Sequence, residues 1–226
     1  MEGIFSAPQI SPGSYTALLF LSSAVLAYFL GCFNGAVIVS RFILRDDVRE
    51  HGSGNAGLTN FYRTFGGWLT FVVILCDVLK AVLSVLIGAA LLGQINNWAL
   101  LGKYWAGLFC MLGHVFPCLF HFKGGKGVLS GGAIAVMIDW RVALVVWSIF
   151  FILAVLTKYV SLGSVAAGAL FPVATWFVFH SPVLTLLAVG CGGLLIWGHR
   201  ENIKRLLHGT ERKFSFRHQK TGEGRP

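Results

Sequence analysis

The sequence predicts an all-α, polytopic integral membrane protein with about seven transmembrane helices, some of them short. Composition is the first reason. Of 226 residues, 56% are hydrophobic and 12% charged, against roughly 45–50% apolar and about 25% charged in average soluble domains. Size is the second, because a chain this short has too much surface for its volume to hide the apolar excess in a soluble core. Distribution is the third: the apolar residues lie in long charge-free runs, and a spanning helix needs about 20 of them. Together these exclude a soluble globular domain, a disordered chain and a nucleic-acid-binding module. The net charge of +9 would otherwise suggest a polyanion partner, so its placement along the chain matters.

The run 16–40 holds 25 residues without a charge and predicts a first helix over 15–40. Asp77 and Lys80 interrupt the next apolar run, which predicts a helix over 67–93. A third helix, over 98–113, ends beside His114 and Pro117. Helices over 127–138 and 142–157 rest on charge-free runs of 12 and 16 residues. Both are short for a full crossing, so they tilt little or are re-entrant and shielded by neighbours. The run 159–198 has 40 residues and no formal charge. His180-Ser181-Pro182 breaks it into helices over 163–179 and 183–198.

Lys and Arg near the span ends set the orientation. Arg41, Arg45, Arg49, Arg63, Lys123, Lys126, Lys158 and the eight basic residues after Gly198 fall on one face. Lys103 and Arg141 fall on the other, and Lys80 lies inside a helix. The rich face is expected in the cytoplasm, with the N-terminus outside and the C-terminus inside. The chain divides into a membrane-embedded part over 1–198, a cytoplasmic terminal motif over 199–213 that completes the site, and a polar tail over 214–226. Met1-Glu2 opens without the basic stretch of a signal peptide, so the first span is expected to be a retained anchor. Cys32, Cys76, Cys110, Cys118 and Cys191 are odd in number and include no C-x-x-C pair. They read as small apolar packing residues, not as a disulfide or metal set.

Four polar segments fall on the basic face. They are 49–63 (Arg-Glu-His-Gly-Ser-Gly-Asn-Ala-Gly-Leu-Thr-Asn-Phe-Tyr-Arg), 113–127, 157–164 and 199–205. Glycines at 52, 54, 57, 124, 125 and 127 let backbone N–H groups approach an anion closely. Ser53, Thr59 and Asn60 add short donors, while Arg63 and Lys126 add positive charge. Gly125-Lys126-Gly127 also opens a helix, and helix N-termini favour phosphate. The combination reads as phosphate recognition at the cytoplasmic membrane surface. Each feature alone has a plainer reading. A glycine-rich loop is most often just a loop, and Gly124-Gly125-Lys126-Gly127 lacks Walker A spacing. His114 and His199 could be hydrogen-bonded interface residues. Asp77 and Lys80, at i and i+3, read as an ion pair that lets both enter the bilayer. The basic residues after Gly198 read as contacts to anionic lipid, least securely for Arg200, Lys204 and Arg205.

The set Gly52-Ser53-Gly54-Asn55-x-Gly57-x-Thr59-Asn60-x-x-Arg63 resembles the first motif of the bacterial acyl-phosphate:glycerol-3-phosphate acyltransferases, the PlsY family. Gly113-His114-x-Phe116-Pro117, followed by Phe122-Lys123-Gly124-Gly125-Lys126-Gly127-Val128, resembles the second. Asp77-Val78-Leu79-Lys80, Tyr159-Val160-Ser161-Leu162 and His199-Arg200-x-Asn202-Ile203-x-Arg205-Leu206, with Gly209 and Glu211 after it, are similar too. Leu129-Ser130 departs from the small Ala-Thr pair common there.

The resemblance implies a seven-span enzyme of the bacterial inner membrane. It would transfer an acyl group from acyl phosphate to the 1-hydroxyl of glycerol 3-phosphate, giving lysophosphatidic acid and phosphate, the first step of phospholipid synthesis. It implies no metal, no organic cofactor, no nucleic acid and no obligate protein partner. In this reading Ser53, Arg63, Lys126, His199 and Asn202 are catalytic. Gly54, Asn55, Gly57, Thr59, Asn60, His114, Gly124, Gly125, Gly127, Ser161 and Ser164 bind substrate, and the acyl chain lies among the helices. The H-x-x-x-x-D motif of acyl-CoA-dependent enzymes is absent, although His218 and Glu223 share that spacing. A transporter for a phosphate-bearing anion and a lipid-binding scaffold are the competing readings. Polar residues gathered at one face and not the midplane weigh against transport.

Overall fold

Asn34 ends the first helix before its charge-free run is over. In the computed structural model, which describes residues 12–214, α1 covers Pro12–Cys32 and the short α2 covers Gly35–Ile38. Asn34 caps α2 by accepting the Val37 N–H at 3.1 Å, and its own amide donates to the Ala56 carbonyl at 3.0 Å. The expected helix over 15–40 is therefore two helices, because an uncharged cap residue hides inside an apolar run. The polar tail beyond Phe214, with His218 and Glu223, lies outside the described residues, as does the start of the chain on which the retained-anchor reading rests.

The remaining helices are α3 Leu58–Thr64, α4 Leu69–Leu92, α5 Ala99–Val115, α6 Val128–Ile138, α7 Trp140–Thr157, α8 Val160–Phe179, α9 Pro182–Gly198 and α10 Arg200–Leu207. Two of them, α3 and α10, lie where polar segments were expected. The helix expected over 142–157 has 18 residues and is not short, since Asp139 caps it from outside the apolar run by accepting the Arg141 N–H. Five helices (α1, α4, α5 with its extension, α7 and α8) are long and apolar enough to cross a membrane. The 17-residue α9 reaches that measure only together with α10, from which it is bent by 60°. Its start is sharp because the Ser181 hydroxyl accepts the Leu184 N–H and Pro182 has no N–H that needs an acceptor.

At 11 residues, α6 is ~16 Å long, about half of a ~30 Å hydrocarbon core. The Lys103 ammonium, near the start of α5, donates to the Met137 carbonyl at 2.8 Å and caps the far end of α6. So α6 runs antiparallel to α5, from beside His114 back to Lys103. Its N-terminus consequently lies beside the last turn of α5.

Glycines set the helix spacing. A Cβ at Gly88 would run into the Gly102 carbonyl, and one at Gly102 into the Gly88 carbonyl, so α4 and α5 touch backbone to backbone. Between α1 and α5, Gly31 approaches the Cys110 carbonyl and Gly113 the Tyr28 carbonyl, and Gly192 approaches the Gly168 carbonyl between α9 and α8. Pro172 lies four residues after Gly168 and cannot donate to that carbonyl. Small residues at helix crossings are the pattern of packing in lipid, where apolar burial offers no driving force between helices. Outward, Trp68, Phe71, Trp140 and Phe177 are each 70% exposed or more, a surface suited to lipid.

Candidate functional site

The first glycine loop is held by one buried side chain. Asn60, in α3, donates to the Val48 and His51 carbonyls at 2.9 and 3.0 Å and accepts the Ser53 N–H at 3.0 Å. Both N–H donors of its amide are committed to the loop, so Asn60 shapes the loop as well as lining the cavity. Gly52 and Gly54 have φ of 60° and 68°, and a Cβ at Gly52 would strike the Asn60 amide. Held this way, the loop turns Ser53, Asn55, Gly57, Thr59 and Arg63 onto one cavity of about 570 Å³. The Ser53 and Thr59 hydroxyls, the Asn55 amide and the Arg63 guanidinium bond to no other described residue. Gly54 does not line the cavity; its N–H caps the His51 carbonyl at 2.9 Å.

The opposite wall comes from α6, α8 and α10. Gly127, at φ 78°, turns the chain into α6 and places Lys126 at that helix's N-terminus. The Lys126 ammonium donates to the Asn202 side-chain oxygen. The Asn202 amide donates to Glu211 Oε1 at 2.7 Å, as does the Ser161 hydroxyl at 2.8 Å, and Arg205 Nε meets Glu211 Oε2 at 2.7 Å. Glu211 thus ties α8 to α10 and fixes Asn202 against Lys126. Burial, then the positive charges of Arg205 and Arg63, bring the Lys126 ammonium down to about 8, with Glu211 opposing. Burial first, then Lys126, pushes His199 down to about 4. His199 is therefore neutral. Its Nδ1 lies 2.8 Å from the Leu195 carbonyl, which can only accept. The proton sits on Nδ1, and the bare Nε2 is left as an acceptor.

His114 lines the same cavity at 2% exposure. Gly124 and Gly125 do not line it. They pack instead against the end of α5, where a Cβ at Gly124 would strike the His114 carbonyl and one at Gly125 the imidazole. The Gly125 N–H already bonds the His114 carbonyl at 3.1 Å and is not available to an anion. Ser164 back-bonds to the Val160 carbonyl at 2.8 Å. It also lies where the polar cavity meets a narrow apolar one of about 40 Å³, and Val128, Trp147 and Phe150 share that junction. Among the described residues, no group of three or more His, Cys, Asp or Glu is placed to hold a metal ion.

Arg205 and Arg212 also line the polar cavity, although the basic residues after Gly198 were expected at lipid. Helical spacing could have found Arg205, three residues after Asn202 and on the same face of α10. Nothing in the local sequence marks Glu211 as the hub.

The profile of the glycerol-3-phosphate acyltransferase family matches residues 21–209. The chain belongs to this family. A glycerol-3-phosphate acyltransferase of Thermoanaerobacter pseudethanolicus is 38% identical over 191 residues, covering 84% of this chain and 93% of that one. One from Bacillus subtilis is 38% identical over 192 residues, covering 85% and 96%. The crystal structure of PlsY, an integral membrane glycerol 3-phosphate acyltransferase, in its glycerol 3-phosphate form superposes with a TM-score of 0.78 at 33% identity, covering 87% of this chain and 96% of that one. Its lysophosphatidic acid form gives 0.74 at 34% identity. The chain is thus a multi-pass membrane acyltransferase of the glycerol-3-phosphate acyltransferase family, and the all-helical fold expected from its sequence is present.

Proposed function

We propose that this chain acylates the 1-hydroxyl of glycerol 3-phosphate with acyl phosphate as donor, at the cytoplasmic face of a bacterial inner membrane. One observation carries the reading: a polar cavity with unpaired donors and cations adjoins an apolar one, the two sharing Ser164, Trp147 and Phe150 as wall. Both substrates have a phosphate for the first part, and the donor has an acyl chain for the second. Lys126, Arg63 and the N-terminus of α6 hold phosphate. Ser53, Asn55 and Thr59 donate to substrate oxygens and to the oxyanion that develops as the hydroxyl attacks the acyl carbon.

The bare Nε2 of His199 accepts the hydroxyl hydrogen bond and aims its oxygen. Being hard to protonate, His199 does not retain the proton. The proton goes to a phosphate oxygen as the C–O bond to phosphate breaks, so ester and inorganic phosphate leave together. The basic loops on the site's side support the cytoplasmic orientation.

Purified protein in detergent, given acyl phosphate and glycerol 3-phosphate, should release phosphate only when both are present. Release that does not depend on glycerol 3-phosphate would overturn the reading.

Two further outcomes are expected. Lys126 holds phosphate only while charged, and its ammonium titrates near 8 in the empty site. It is fully protonated well below that pH, so kcat/KM for glycerol 3-phosphate should fall as pH rises through about 8. Lys126→Arg should remove that limb, since a guanidinium keeps its proton. A Cβ at Gly131 would have Met111 and Leu195 as its nearest neighbours, at ordinary contact distance beside the apolar cavity. Gly131→Leu should fill the cavity and shift preference toward shorter acyl phosphates, read as relative kcat/KM across a chain-length series.

A further inference from the structure

Asp77 and Lys80 in α4 and His114 in the last turn of α5 form a cluster with each residue less than 5% exposed. An ammonium has three N–H donors and no lone pair. Lys80 aims them at Asp77 Oδ1 at 2.7 Å, the Phe33 carbonyl at 2.9 Å and His114 Nδ1 at 2.7 Å. The bond to the ring can run only from the ammonium to Nδ1, so Nδ1 bears the lone pair. A protonated ring would set two cations 2.7 Å apart in a buried site, which repulsion forbids. The ring is neutral, and its one proton is on Nε2.

That Nε2–H has no acceptor among the described residues. It points beside Gly125, whose missing side chain leaves it room, at the wall of the polar cavity. The nearby cavity wall carries Lys126 and Gly127. Lining the cavity, this donor is open to an oxygen that a bound substrate brings.

We propose that His114 is a fixed neutral donor of the acyl-transfer site, its Nε2–H presented to a substrate oxyanion and locked in that tautomer by the buried Lys80–Asp77 pair. This rests on the proposed reaction and adds to it a division of labour between two histidines. His199 has Nδ1–H committed to backbone and offers a lone pair. His114 has Nδ1 committed to Lys80 and offers a proton donor. Lys80 and Asp77 are positioning residues that act through the ring. The oxygen that accepts from His114 belongs either to a phosphate or to the acyl carbonyl as it becomes an oxyanion; the chemistry of the contact is the same.

Ring-15N-labelled full-length protein in detergent, with the His114 signal assigned by its loss in His114→Gln, reads the tautomer without substrate. The expected spectrum has a protonated Nε2 and a bare Nδ1, unchanged from pH 6 to 8. A protonated Nδ1, or an imidazolium, overturns the proposal even if the enzyme is fully active. Conversely, absence of acyl transfer by the wild type would remove the reaction while leaving the tautomer result standing.

Kinetics give the second arm. The glutamine amide reaches where Nε2–H was, and the asparagine amide reaches only Nδ1. His114→Gln should stay within about tenfold of wild type, while His114→Asn should lose about 100-fold in kcat/KM. Equal losses in the two variants overturn the donor assignment. A rise confined to the KM for glycerol 3-phosphate assigns the contact to its phosphate. One confined to the KM for acyl phosphate assigns it to the donor, and a fall confined to kcat assigns it to the oxyanion. Asp77→Asn/Lys80→Met removes the lock without leaving a lone buried charge. It should lower activity with His114 present and add little to the loss of His114→Gln. A full additional loss there would reduce the pair to a structural role and overturn the lock.

Discussion

Lys126→Ala should lower kcat/KM by about 10²- to 10³-fold, the loss expected when a preorganised electrostatic donor is removed from a desolvated site. Three features make this side chain hard to replace. It stands at the N-terminus of α6, on the wall of the polar cavity. It is held by the Asn202 oxygen. And it shares the cavity with Arg63, whose guanidinium bonds to no other described residue. The measurement is phosphate release from purified protein with both substrates, beside a thermal unfolding curve in the same detergent. An unchanged midpoint with lost turnover assigns the effect to substrate. Near-normal turnover would show that Lys126 does not hold phosphate.

The second large effect should come from a residue that touches no substrate in the proposed mechanism. Glu211→Ala removes the acceptor of the Ser161, Asn202 and Arg205 bonds at once. Hydrogen bonds to a charged group contribute about 1.5–3 kcal/mol each and do not add simply. A loss of roughly 2 kcal/mol in unfolding free energy is therefore expected. Activity should fall further, by about 10- to 100-fold, because Asn202 is then free to shift relative to Lys126. Removing this carboxylate also removes the charge that opposes the fall of the Lys126 ammonium. The alkaline limb of kcat/KM should accordingly move to lower pH. Glu211→Gln keeps an acceptor for Ser161 but loses the charge, so it should fall between the two. A variant with wild-type activity and an unmoved limb would sink the hub assignment.

The apolar helices were legible because charge-free runs and Pro182 mark them directly. Where the sequence misled, the deciding partner lay elsewhere in the chain. Asn34 carries no charge, so only its bonds to Val37 and Ala56 reveal the break after α1. The residue types of the phosphate site were legible too, and Lys126, Arg63, His199 and Asn202 do share one cavity. Their division into contact and support was not. Asn60 looks like a substrate donor until its bonds to Val48, His51 and Ser53 are seen. Gly124 and Gly125 look like an anion cradle until the His114 carbonyl and ring are found against them. Glu211 acts across 50 residues to Ser161, a distance that no local pattern spans.

The glycine contacts also bear on how the chain enters a bilayer. Gly88 and Gly102 join α4 to α5, Gly168 and Gly192 join α8 to α9, and Gly163 sets α8 against the Phe150 carbonyl of α7. Each contact links helices that follow one another in the sequence. Each hairpin can therefore close as soon as its second helix is made, without waiting for the rest of the chain. Helices stabilised first and packed second is the order that association in lipid allows. Threading of α1 against α5, which are not neighbours in sequence, is then a docking of finished units.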